Sequence, residues 1–190
     1  MKILRLCSFI IILFTSCNQI EKKNSLFTEM PSSITHIDFR NDIQENVDYN
    51  ILTYEYLYNG AGVAIGDLNG DGLPDIYFTC NMSPDKLYLN KGGFQFEEVA
   101  AQAGVQGRSK WKTGAVIADV NGDGLPDIYV CYSGPGTDED RRNELYINQG
   151  VKNGIPTFKE EAKEFGLDAP GTYTTTVAFF DMDHDGDLDM

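Results

Sequence analysis

A nine-residue motif written three times is what most restricts the structures open to this chain. Asp67-Leu68-Asn69-Gly70-Asp71-Gly72-Leu73-Pro74-Asp75 returns as Asp119-Val120-Asn121-Gly122-Asp123-Gly124-Leu125-Pro126-Asp127. It returns again, polar frame intact, as Asp181-Met182-Asp183-His184-Asp185-Gly186-Asp187-Leu188-Asp189. Self-similarity on the scale that separates Asp67, Asp119 and Asp181 marks repeated supersecondary units that bury their faces only against neighbours. More than the motif recurs. Leu87-Tyr88-Leu89-Asn90 matches Leu145-Tyr146-Ile147-Asn148, Phe96-Glu97-Glu98 matches Phe158-Lys159-Glu160, and Ala103-Gly104-Val105 matches Phe165-Gly166-Leu167. Gly104 and Gly166 each precede the next motif by the same interval, so the length variation falls in loops. The longest insertion, Ser133 to Asn143, is rich in Gly, Pro, Asp and Arg and reads as a surface loop.

The flanks of the motif are strands. Gly62 to Gly66 and Ala115 to Ala118 lead in, and Ile76 to Thr79 and Ile128 to Cys131 lead out. These are short β-branched and aromatic runs bounded by Gly and Pro. The fold class is therefore all-β, with strand–loop–strand repeats. Glu97 to Ala103 and Glu160 to Phe165 read as short helical turns ended by Gly104 and Gly166. Between Ile34 and Tyr58, partial alternation of Ile and aromatic residues predicts one or two further strands. Phe94, Phe96, Phe158, Tyr77, Tyr129 and the single tryptophan, Trp111, are expected in the packing between repeats.

A hard cation explains the motif. Ca²⁺ takes about six to eight oxygen ligands, and positions 1, 3 and 5 of a tightly turning loop aim three side-chain oxygens at one point. Those positions are Asp67, Asn69 and Asp71, then Asp119, Asn121 and Asp123, then Asp181, Asp183 and Asp185. Position 7 offers a backbone carbonyl from Leu73, Leu125 or Asp187, and position 9 a carboxylate from Asp75, Asp127 or Asp189. Position 6 is glycine each time, which takes positive φ without steric cost. The loops carry three, three and five carboxylates, a crowding of like charge that opposes folding unless neutralised. About three calcium ions are expected. An EF-hand does not fit: position 12 is Phe78 or Val130 rather than Glu, and the flanks are not helical.

The N-terminus is a targeting segment. Lys2 and Arg5 precede a nine-residue apolar run, Leu6 to Phe14, too short to span a bilayer. Leu13-Phe14-Thr15-Ser16-Cys17 resembles a bacterial lipobox, which implies cleavage after Ser16 and lipidation of Cys17. Residues 17–33 then form a polar tether and 34–59 an N-terminal strand segment. Asn18 after the cysteine favours the outer membrane or cell surface. Cys80 and Cys131 remain in the mature chain and read as buried thiols, with a disulfide the alternative. A net charge of −14 excludes a sequence-independent hold on nucleic acid or anionic lipid.

The three motifs resemble the calcium loops of FG-GAP and VCBS repeats, which build seven-bladed β-propellers. Tyr58 to Ala64, Trp111-Lys112-Thr113-Gly114, Arg142 to Tyr146 and Phe179-Phe180-Asp181 are similar to the propeller of bacterial lipoproteins related to cartilage acidic protein, which usually continue into an ASPIC/UnbV module. The resemblance implies four-stranded antiparallel blades: repeat 1 over 60–111, repeat 2 over 112–172 and a truncated repeat 3 over 173–190, an incomplete propeller. It implies a calcium-binding, non-catalytic module for adhesion or for binding an extracellular protein or glycan, with the membrane reached through the lipid anchor alone. The alternative is a non-catalytic fragment of a larger propeller enzyme acting on extracellular polymers. With two histidines and no nucleophile motif, nothing in the sequence nominates a catalytic residue.

Overall fold

The computed structural model describes residues 26–190. The expected targeting segment, Cys17 and the start of the expected tether lie outside the described residues. The chain divides at Met30 and Pro31, and the architecture below belongs to the unit Pro31–Met190.

Eight strands form two four-stranded antiparallel sheets, each a meander in sequence order. The first contains β1 (Val63–Gly66), β2 (Asp75–Phe78), β3 (Lys86–Asn90) and β4 (Phe96–Glu98). The second contains β5 (Lys112–Ala118), β6 (Asp127–Tyr132), β7 (Glu144–Lys152) and β8 (Ile155–Glu160). Gly66 lies opposite Asp75 and Ala118 opposite Asp127, so each acidic motif is the loop of the first hairpin of its sheet. Phe180 and Asp189 make the same pairing for the third motif, with backbone bonds of 3.1 and 2.9 Å. Pro74 and Pro126 sit just before β2 and β6, where no ladder N–H is needed.

The sheets stack face to face. Side chains alternate across a strand, so Ile128, Val130 and Tyr132 of β6 join Tyr77, Leu87 and Leu89 of the first sheet in one core. Tyr129 and Cys131 point the other way, into a second core with Leu145, Ile147, Val177 and Phe179. All six residues of β6 are therefore buried, whereas β2 buries only Asp75 and Tyr77 fully. The chain approaches itself closely where successive repeats begin. A Cβ on Gly62 would lie 2.5 Å from the Ala115 nitrogen, and one on Gly114, its counterpart in the second repeat, 2.8 Å from the Thr175 carbonyl oxygen. Only glycine permits that spacing.

Four expectations change. Residues 34–59 contain no strand; a one-turn helix, α1 (Ser32–Thr35), begins inside the stretch read as tether, and bends and turns follow. Asn46 Oδ1 accepts the N–H groups of Asp48 and Tyr49, each at 2.9 Å, and Asn50 Oδ1 accepts those of Leu52 and Thr53 at 2.9 and 3.2 Å. These side-chain bonds take donors that a sheet ladder would use. The segment still packs on the first sheet, with Phe39 stacked on Phe78 at 4.3 Å. Phe94 is not core: it sits at the β3–β4 hairpin tip with φ of 61° and is 63% exposed. The helical turn after Phe96 is shorter than expected, because Phe96–Glu98 is strand and only α2 (Ala100–Ala103) is helix, ended by Gly104 at φ 81°. The insertion 133–143 folds back on the body, burying Ser133, Arg141 and Asn143. Phe158, Tyr77 and Tyr129 do lie in the cores, and Trp111 is buried beneath Tyr49 and Tyr54. Cys80 and Cys131 are free buried thiols, and burial pushes the Cys131 thiol up to about 12.

Candidate metal loops

Each loop is organised by its first aspartate. Asp67 Oδ1 accepts the N–H groups of Gly70 and Asp71 at 2.8 and 3.1 Å, and its Oδ2 accepts that of Gly72 at 2.8 Å. Asp119 repeats the arrangement with Asp123 and Gly124 at 3.1 and 2.8 Å. Positions 3 and 5 are linked in the same way: Asn69 Nδ2 donates to Asp71 at 3.0 Å and Asn121 Nδ2 to Asp123 at 2.9 Å. Asp71 and Asp123 accept the N–H groups of Leu73 and Leu125, each at 2.8 Å. Gly72, Gly124 and Gly186 have φ of 83, 86 and 97°. Position 4 is left-handed as well, in Gly70, Gly122 and the exposed His184 at φ 64°. The glycine in two of its three copies was the signal for that.

Position 9 braces the loop. Asp75 and Asp127 are fully buried; Oδ2 of each accepts the N–H of position 2, from Leu68 or Val120 at 2.9 Å, and Oδ1 accepts that of Asn90 or Asn148 at 2.8 Å. Burial pushes both carboxyls up, those backbone bonds oppose the shift, and the loop's other aspartates add to it. In the third loop Asp189 accepts the Met182 N–H at 2.8 Å, the first of these two bonds. Asn90 and Asn148, the last residues of the repeated Leu-Tyr-x-Asn segment, are the site residues that sequence reasoning missed. Their side chains donate to the Pro74 and Pro126 carbonyls at 3.0 Å, and Asn148 also reaches Leu68 in the neighbouring sheet at 3.1 Å. Their recurrence was visible; their bonds to the loops were not.

The third loop differs in chemistry. Among the described residues, one carboxylate oxygen each of Asp181, Asp183 and Asp189 lies within 4.8 Å of the others. Asp181 Oδ1 is buried and has no hydrogen-bond partner, whereas the same atom of Asp67 holds two. In the first two loops the middle position of that trio is Asn69 or Asn121, an amide oxygen in place of a carboxylate. Asp185 and Asp187 stand outside the trio, hydrogen-bonded to one another, and this contact with Asp185 pushes the Asp187 carboxyl up. An unpartnered buried anionic oxygen beside two further carboxylates fits a hard divalent cation.

Two stacked four-stranded meanders, each opening on an Asp/Asn/Gly loop in the same register, define a protein of β-propeller blades, here not closed into a ring. Residues 67–130 match the family model of the FG-GAP-like repeat, and the chain carries that repeat. It is similar to cartilage acidic protein 1 of Xenopus tropicalis and of Homo sapiens, at 29% and 30% identity over 133 residues. Each alignment covers 69% of this chain but only 19% and 18% of the relative. It is also similar to integrin alpha-8 of Gallus gallus, 30% identical over 114 residues, covering 53% of this chain and 11% of that protein. The chain thus spans about a fifth, or less, of the length of these curated relatives.

Proposed function

We propose that this chain is a calcium-stabilised, non-catalytic binding module of an exported, lipid-anchored protein, its ligand an extracellular protein or glycan. The observation that carries the reading is the trio Asp181, Asp183 and Asp189 with its unpartnered Asp181 oxygen. Positions 1, 3, 5 and 9 of each motif would supply side-chain oxygens and position 7 a carbonyl. In the first two loops the lone pairs not used by N–H donors remain for the ion, because each carboxylate oxygen has two. Repetition of one frame across eleven carboxylates supports three similar sites. The cation would supply charge neutralisation and a rigid turn between the first two strands of each repeat. Domain limits follow the repeat: 60–111, 112–172 and 173–190, behind a signal of 1–16. The anchor would be Cys17. Radiolabelled palmitate should enter the wild-type chain in bacteria and not Cys17→Ser; equal labelling would remove the anchor from the reading.

Thermal melts followed by circular dichroism test the calcium assignment. A ligand at about 100 times its Kd stabilises a folded state by about 2.7 kcal/mol per site. The chain in millimolar Ca²⁺ should therefore melt at least several degrees above the same chain in EGTA. Coincident melts would mean that the loops are merely acidic turns.

A further inference from the structure

We propose that the end of the sheets opposite the acidic loops holds a carbohydrate-binding cleft, walled by the residues at which successive repeats begin. This rests on the binding-module reading above and gives that module a site and a ligand class. The cleft has a volume of about 480 Å³, within the usual range for small-ligand sites. Its walls include Asn59, Trp111 and Tyr173, which occupy one and the same position of successive repeats. Thr113 and Thr175 are a second such set. The cleft is therefore a product of the repeat architecture. Thr113 is the second residue of β5 and Asp119 follows its last, so at about 3.3 Å per residue the cleft lies roughly 20 Å from the loop.

Its chemistry is selective. Trp111 is only 6% exposed and is held edge-on by Tyr54 at 5.2 Å, and Tyr54 is held edge-on by Tyr56 at 5.8 Å. Tyr173 remains 66% exposed while the Arg141 guanidinium sits 4.4 Å from its ring centroid. The rings open to a ligand are those of Tyr56 and Tyr173, with Trp111 behind them as support, and rigid aromatic faces cost little ordering entropy on binding. Between them stand hydroxyl and amide groups from Thr113, Ser133, Thr175 and Asn59. None of the described lining residues is charged, in a chain with 29 acidic and 15 basic residues. A neutral ligand with flat apolar faces and a rim of hydroxyls matches that lining, and a sugar ring is such a ligand. Anionic polymers and charged peptides are not.

Trp111 is the only tryptophan in the chain and reports on the cleft directly. The calcium-loaded full chain is titrated with tetraoses of β-1,4-linked glucose, N-acetylglucosamine and xylose, with α-linked mannose oligomers, and with decaproline, following tryptophan emission. At least one oligosaccharide should change the emission saturably. Tyr56→Ala and Tyr173→Ala should weaken that binding at least tenfold with unchanged melting temperature, because both side chains are more than half exposed. Saturable binding unaltered by either substitution would overturn the site. A response to decaproline alone would replace the ligand class with extended peptide and overturn the proposal. No response to any probe would overturn it too, while leaving the binding-module reading to a surface elsewhere. A failure of calcium to alter the melt strikes that earlier reading instead.

Discussion

The two sheets share one frame yet treat the same buried junction differently. In the first, Asp85 Oδ1 accepts the Cys80 N–H at 2.8 Å, and its carboxylate lies 3.0 Å from the Lys112 ammonium, both side chains without solvent exposure. In the second, Asn143 Oδ1 accepts the Tyr132 N–H at 2.8 Å, and its amide donates to Thr174 at 3.0 Å. Lys112 and Thr174 occupy the same position of consecutive repeats. An ion pair at the junction after the first sheet is thus an amide–hydroxyl pair at the junction after the second. The neighbouring tyrosines show the difference in satisfaction. Tyr129 receives a bond from Asn143 at 2.9 Å and donates to the Leu167 carbonyl at 2.7 Å. Tyr77 has two acceptors within reach, Asp85 at 2.9 Å and the Val105 carbonyl at 2.8 Å, and only one proton. The neutral arrangement satisfies every group; the charged one leaves a donor short.

Breaking the charged pair from one side should have the largest effect. Lys112→Thr leaves the Asp85 carboxylate buried with no cation, and loss of one partner of such a pair costs about 3–5 kcal/mol. Lys112 also gives up bonds to the Arg108 and Ser83 carbonyls at 2.8 and 3.4 Å. Adding Asp85→Asn rebuilds the arrangement of the second sheet, and the double variant should recover more than half of the loss in urea denaturation. Additive single effects would show that the two residues are not one energetic unit.

The pH dependence sharpens the same contrast. Burial, opposed chiefly by Lys112, pushes the Asp85 carboxyl up to about 6. A protonated Asp85 could donate to the Tyr77 hydroxyl, which then donates to Val105, as in the Asn143 arrangement. The folded state therefore holds this proton more tightly than the unfolded chain, whose carboxyl titrates near 3.8. Between about pH 4 and 6 the folded state binds more protons, so this group's contribution to stability falls as pH rises through that window. From pH 7 down to 4.5 the wild type should gain stability relative to Asp85→Asn/Lys112→Thr, by an amount on the order of 1–3 kcal/mol. Parallel pH profiles would contradict the raised carboxyl.

How far the sequence reached follows the range of the interactions. The hairpins around the acidic loops were legible because Pro74 and Pro126, the glycines and the β-branched runs are local signals. Residues 34–59 misled because Ile51, Tyr54, Tyr56 and Tyr58 alternate like a strand, while Asn46 and Asn50 had already committed the backbone to turns. Phe94 misled because apolar character does not reveal a hairpin tip. The loop positions can be named from the repeat alone, but the special character of Asp181 arises only when three carboxylates converge in space. Lys112 sits in a recurring segment, yet its partner Asp85, in the preceding repeat, carries no local mark.

The smallest effect separates the two loop braces. Asn90 and Asn148 each accept a glycine N–H at 2.9 Å and donate to a proline carbonyl at 3.0 Å within their own sheet. Only Asn148 adds the bond to Leu68, at position 2 of the first acidic loop, and it is 2% exposed where Asn90 is half-buried. A net contribution of about 1 kcal/mol per such bond, larger where a buried acceptor is left unpaired, puts Asn148→Ala at about 2–3 kcal/mol and Asn90→Ala about 1 kcal/mol lower. Because Asn148 is fixed to both sheets, its loss should also loosen the first loop, seen as faster amide exchange at Leu68 and Gly70 in Asn148→Ala but not at Val120 or Gly122. Equal destabilisation by the two substitutions, with exchange in the first loop unchanged, would mean that the Asn148–Leu68 bond does not couple the sheets and that each acidic loop stands on its own hairpin.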